Sequence, residues 1–96
     1  MPVDRRHVDA LVGDRLRAVR KWRRMTLAQV EETSGGEFRT SVLGAYERGE
    51  RGLAVTRLLR LAQLYDVPPS ELLPEDDQDS EQDDAALQRF PPDSVL

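Results

Sequence analysis

Apolar residues recur along the first three quarters of this chain at spacings of three and four, the period of helices that bury one face. Val12, Leu16 and Val19 share one such face, while Arg15, Arg17, Arg20, Lys21, Arg23 and Arg24 fill the rest of that helix. Thr26-Leu27-Ala28-Gln29 then matches a capping box, in which side chains at the first and fourth positions bond each other's backbone, and it starts a second helix over about 27–33. Ser34-Gly35-Gly36 stops it, because paired glycines accept the positive dihedral angles of a turn. A third helix is predicted over about 39–48, with Val42, Leu43 and Tyr46 on its buried face and Gly49 as C-terminal cap. In a fourth, over about 55–65, Val55, Leu58, Leu61, Ala62 and Tyr65 point to the core. Pro68-Pro69 and Ser70 then open a short fifth helix containing Leu72 and Leu73.

Several large side chains fall off these faces. Leu59 and Leu64 are expected to pad the edge of the core, a dimer contact being the alternative. Trp22, three residues after Val19, is expected to be partly buried rather than to stack on a ligand.

Composition narrows the function. Ninety-six residues make one small domain with little chain to spare for a catalytic unit. With no cysteine and a lone histidine, His7, neither a disulfide nor a zinc centre can be built, and no cofactor is expected. No apolar run reaches membrane-spanning length, so the expected location is the cytoplasm, on the nucleoid. An enzyme is not expected, since Ser34, Ser41 and Ser70 have no plausible base nearby.

The net charge of −4 hides a division. Residues 1–73 hold 13 basic and 10 acidic side chains, a net of +3, whereas residues 74–96 hold one and eight, a net of −7. Two regions follow: an ordered domain over 5–74, and an acidic tail over 75–96 with nothing apolar before Ala85 to anchor it, expected to be disordered. Within the tail, Ala85 to Phe90 could form one amphipathic turn before Pro91-Pro92.

Three short helices with arginines at both ends and small polar residues between suit a protein that reads DNA. An ordered set of segments carries a family resemblance: Leu16-Arg17, Arg20, Met25-Thr26, Ala45-Tyr46-Glu47-Arg48-Gly49-Glu50-Arg51, Leu58-Leu59-Arg60-Leu61-Ala62 and Tyr65-Asp66-Val67. Over roughly residues 8–73 the chain resembles the Cro/C1-type (XRE) helix-turn-helix family. Within it, Val42 to Gly49, Val67-Pro68 and Glu71 to Pro74 look most like the DNA-binding domain of BldD-type actinobacterial regulators. The turn after Gly35 is about two residues longer than the family's usual spacing. The resemblance implies an all-α, five-helix, lambda-repressor-like fold, and a sequence-specific regulator of transcription, a repressor, that binds double-stranded DNA as a homodimer on palindromic half-sites.

The resemblance also implies roles for residues. Thr40, Ser41, Gly44 and Ala45 occupy the family's groove-facing positions. Arg39 beside them is the best candidate for a guanine contact, since the others can offer only single hydrogen bonds or a methyl, and a phosphate contact is its alternative. Gly44 admits either close approach to DNA or close packing on the second helix. Thr26 and Gln29 are assigned to one phosphate backbone, and Arg48 and Arg51, with the Gly49 and Gly52 amides, to the other. Arg20 and Glu47 would pair between the first and third helices and set the third on its scaffold. The rival function is an antitoxin-like or anti-activator module whose acidic tail holds a basic protein partner.

Overall fold

A computed structural model describes residues 4–74; the acidic tail, and with it the disorder and the turn over Ala85 to Phe90 expected there, lies outside them. The chain forms α1 (Arg5–Trp22), α2 (Leu27–Thr33), α3 (Thr40–Glu47), α4 (Val55–Tyr65) and a single 3-10 turn, Pro69–Leu72, with no strand among the described residues.

Local chemistry places most boundaries. The Asp4 side chain accepts from the Arg6 amide, 3.0 Å, and starts α1. The capping box of α2 is complete: the Gln29 amide donates to Thr26 Oγ1 at 3.1 Å and the Thr26 amide to Gln29 Oε1 at 2.8 Å. The link between α2 and α3 turns through Gly35 and Gly36 at φ +65° and +84°, a region costly for side-chain-bearing residues. Ser34 ties that link down, its hydroxyl donating to the Glu31 carbonyl at 2.9 Å and accepting from the Phe38 amide at 3.1 Å. Phe38 thereby drops into the core, fully buried, although no helical periodicity points to it.

The core is made of Leu16 and Val19 from α1, Val30 from α2, Phe38 from the turn, Leu43 and Tyr46 from α3, Leu58, Leu61, Ala62 and Tyr65 from α4, and Leu72 from the 3-10 turn. Helix α1 lies against the C-terminal half of α3 at backbone distance. A Cβ at Gly13 would stand 2.5 Å from the carbonyl oxygens of both Tyr46 and Glu47. From the other side, Gly49 (φ +72°) would press a Cβ to 2.8 Å from the Ala10 Cα. Two glycines on opposing segments therefore set how closely α1 and α3 approach.

Four expectations need correction. Val55 is 72% exposed rather than in the core; as the first residue of α4 its side chain leans back over the preceding loop. Trp22 is 68% exposed rather than partly buried. Its neighbour Arg23 makes the crossing to α4, donating to the Tyr65 and Asp66 carbonyls at 2.6 and 2.7 Å, and stacks 4.5 Å from the indole centroid. The fifth element is one 3-10 turn, and Leu73 follows it in extended backbone, so Leu72 points inward and Leu73 outward. Arg39 and Arg48 flank α3 as its caps instead of belonging to it. Of the two leucines off the main face, Leu64 packs against the core while Leu59 is exposed.

Candidate nucleic-acid interface

Helix α3 presents its outer edge to solvent while both of its ends are held from behind. At the C-terminal end, Arg20 Nε and Nη2 donate to the two Glu47 carboxylate oxygens at 2.7 and 3.0 Å, and Nη1 reaches the Met25 carbonyl at 2.8 Å. The side chains are 12% and 7% exposed. The bonded carboxylate raises the Arg20 pKa above its ordinary value, against the effect of burial. One guanidinium thus joins α1, α3 and the α1–α2 link at Met25.

The N-terminal end is held differently. Arg39 occupies the N-cap position but caps nothing. Glu31, on α2, supplies the acceptor instead: its Oε1 receives the Thr40 amide at 2.6 Å and the Thr40 hydroxyl at 3.0 Å. These two bonds, the backbone one foremost, keep the Glu31 carboxyl below the usual carboxylate range. Sequence reasoning missed Glu31, because its partner is nine residues away across a turn of unpredictable path. Thr40, expected to meet a base, has its hydroxyl proton already committed to this bond and retains a methyl group for such contact.

The other expected groove-facing residues divide. Ser41 is exposed and Ala45 half-buried. Gly44 is buried, though not by α2: a Cβ there would meet the Arg48 Nη1 at 2.9 Å, so the glycine makes room for a guanidinium folded back along the helix edge. That guanidinium also reaches the Glu50 carboxylate at 3.1 Å. Arg48, expected to hold phosphate, therefore lies against Gly44, among the positions expected to face the groove.

Thr26 and Gln29 are exposed at the start of α2, with part of their bonding capacity used by the capping box; the Gln29 amide NH2 and the Thr26 hydroxyl proton are the donors left over. In the loop after α3, Arg51 is exposed. The Gly49 amide donates to the Tyr46 carbonyl at 3.1 Å, so it closes the helix rather than facing outward. Gly52 lies against the Asp9 carboxylate. Two further arginines, given no role from the sequence, lie near the site on α4: Arg60 donates to both Glu37 oxygens at 3.2 and 2.8 Å, and Arg57 stands 5.6 Å from the Phe38 ring centroid. Arg60 holds the Glu37 carboxyl below its ordinary range.

Known proteins match this arrangement. A helix-turn-helix family model matches residues 16–72. The DNA-binding domain of BldD from S. venezulae is 44% identical, superposes with a TM-score of 0.68 and covers 71% of this chain and 99% of its own. A crystal structure of the DNA-binding domain of BldD gives 44% identity and a TM-score of 0.69 over 71% of this chain and 96% of that one. The restriction-modification controller protein C.AhdI from Aeromonas hydrophila is 30% identical, with a TM-score of 0.67 over 74% of this chain and all of its own. No curated protein sequence matches.

Proposed function

The chain belongs to the Cro/C1-type helix-turn-helix family, and from that premise we propose that it is a transcriptional regulator that binds double-stranded DNA in a sequence-specific way, as a dimer on palindromic half-sites, and represses. The observation that carries this reading is the edge of α3. Among the described residues no other helix covers it; it is lined by small residues and anchored at both ends by ion-pair or carboxylate bonds from the scaffold behind it. A helix held in this way can enter the major groove without paying to order itself first.

In this reading base edges are met by Ser41, Ala45, the Thr40 methyl and the Arg48 guanidinium. Arg48 rather than Arg39 is the candidate for bidentate contact with guanine, since it lies over Gly44 on the edge that faces the groove. Thr26 and Gln29 meet one phosphate backbone and Arg51 the other, supplying the salt-dependent part of the affinity. A single domain this small covers little DNA, which favours two copies spaced about 34–36 Å apart on successive turns. The test is retention of random-pool duplex DNA by the full chain across a salt series, with sequencing of the retained fraction. A palindromic enriched motif with a steep salt slope is expected; no retention at any salt concentration overturns the reading.

A further inference from the structure

Between the α2–α3 turn, the inner edge of α3 and the start of α4 lies a cleft of about 210 Å³, lined by Arg39, Arg51 and Arg57 with Glu37, Val42 and Tyr46. The three arginines come from three different segments: the N-cap of α3, the loop after it and the first turn of α4. None of them is in an ion pair among the described residues, unlike Arg20, Arg23, Arg48 and Arg60. Among the described residues the only carboxylate lining the cleft is Glu37, and its two oxygens are already bonded to Arg60, outside the cleft. Arg57 lies over the face of the buried Phe38 ring, and its charge is felt by Glu37, which is bonded to Arg60.

Three guanidinium groups share this concavity with a single lining carboxylate among the described residues, Glu37, whose oxygens are bonded to Arg60, so positive charge is left in excess there and an anion relieves it. The cleft holds about seven water volumes, room for one tetrahedral phosphate group with part of its hydration. Guanidinium forks match phosphate oxygens in geometry. None of the lining residues belongs to the start of α2, where Thr26 and Gln29 stand, so the cleft would serve a different phosphate from theirs.

We propose that Arg39, Arg51 and Arg57 form a phosphate-binding cleft that takes one phosphodiester of the DNA backbone beside the recognition helix. The proposal rests on the DNA-binding reading above. It gives Arg39 a positioning task that carries no sequence information, and it brings into the interface Arg57, a residue of α4 that the resemblance did not assign.

The test measures binding of the full chain and its Arg57→Gln, Arg57→Lys and Arg39→Gln variants to the enriched duplex and to a scrambled duplex of equal length, from low to high salt. Arg57→Gln is expected to weaken both duplexes alike, by about tenfold at low salt, and to lower the salt slope by about one, with Arg57→Lys recovering part of the loss. Arg39→Gln is expected to behave in the same sequence-independent way. Unchanged binding by Arg57→Gln, or a loss in Arg39→Gln confined to one base position, overturns the cleft while leaving the DNA-binding reading intact. Should the unaltered chain bind no duplex, that reading fails instead, and the cleft is judged by nitrogen-15 NMR of the arginine Nε groups titrated with inorganic phosphate. Saturable shifts at Arg39, Arg51 and Arg57 alone support it, and uniform or absent shifts sink it.

Discussion

The two ends of α3 are secured by opposite means. Its C-terminal end is fixed from inside the molecule, by the largely buried Arg20–Glu47 pair and by backbone lying on backbone at Gly13 and Gly49. Its N-terminal end is fixed nearer the surface, by the partly buried Glu31 carboxylate on Thr40, with the exposed Arg39 beside it. The first arrangement cannot be loosened without disturbing the core. The second can change with pH, salt or a bound anion while the helix stays in place, and it lies on the side where nucleic acid would dock. Such a division leaves the fold insensitive to the chemistry of reading.

The comparison breaks most sharply if the inner end proves unimportant. Arg20→Ala leaves Glu47 a largely buried carboxylate without its partner, and a loss of about 3 kcal/mol or more in urea unfolding is expected. A loss below about 1 kcal/mol would mean the pair is replaceable by water. Gly13→Ala tests the backbone contact: the added Cβ meets two carbonyl oxygens that no side-chain rotation can move, so about 1–3 kcal/mol of destabilisation is expected, with α1 displaced from α3. Native stability in the Ala variant would show that the contact is soft.

Alkaline titration probes the same inner region. Burial, reinforced by the Glu47 charge, pushes the Tyr65 hydroxyl up to about 12 from an ordinary 10.0. The folded state therefore holds that proton more tightly than the unfolded chain does. Its contribution is complete below pH 10 and is lost as pH rises from 10 to about 12, a decline of about 2–3 kcal/mol. Tyr65→Phe should flatten that limb of the stability profile, and a profile equally steep in the Phe variant would assign the decline elsewhere.

The outer end should respond least in stability. Glu31→Gln is expected to cost less than either inner substitution and to change DNA affinity more than it changes unfolding. Because the Glu31 carboxyl is held low, its contribution is present above the ordinary carboxylate pKa and is lost as pH falls through its depressed value. The Gln variant should lose this acid limb, measured as the difference between the two stability profiles below pH 5. If Glu31→Gln destabilises as much as Arg20→Ala, the two ends are not different in kind.

Much of this was legible along the chain, and the reason differs from element to element. Helices α2 and α4 have the bounds that the sequence predicts, 27–33 and 55–65. The first carries its own start signal in Thr26 and Gln29 and its stop in Gly35, all decided within a few residues. The second has an apolar face strong enough to outweigh the absence of a side-chain cap. The pairing of Arg20 with Glu47 was readable only through family resemblance, since 27 residues separate them. Periodicity alone misjudged Val55 and Trp22 at helix ends, where the face a residue occupies depends on what crosses over it. Arg23, in the event, took the crossing that the pattern offered to Trp22.

Phe38, Gly13, Glu31 and the trio of Arg39, Arg51 and Arg57 mark the limit. No local signal distinguishes Phe38 from any aromatic in a loop, Gly13 from a weak point inside a helix, or Arg57 from other charges on a solvated face. The amino-acid sequence by itself determined which segments are helical, where they start and stop, and which face of each is apolar, because those properties depend on neighbours within about four residues. Only the tertiary structure decided which glycine lets α1 touch α3, which carboxylate bonds the start of α3 and which arginines share a cleft. Those are contacts between segments whose relative placement is set by the close packing of the whole core.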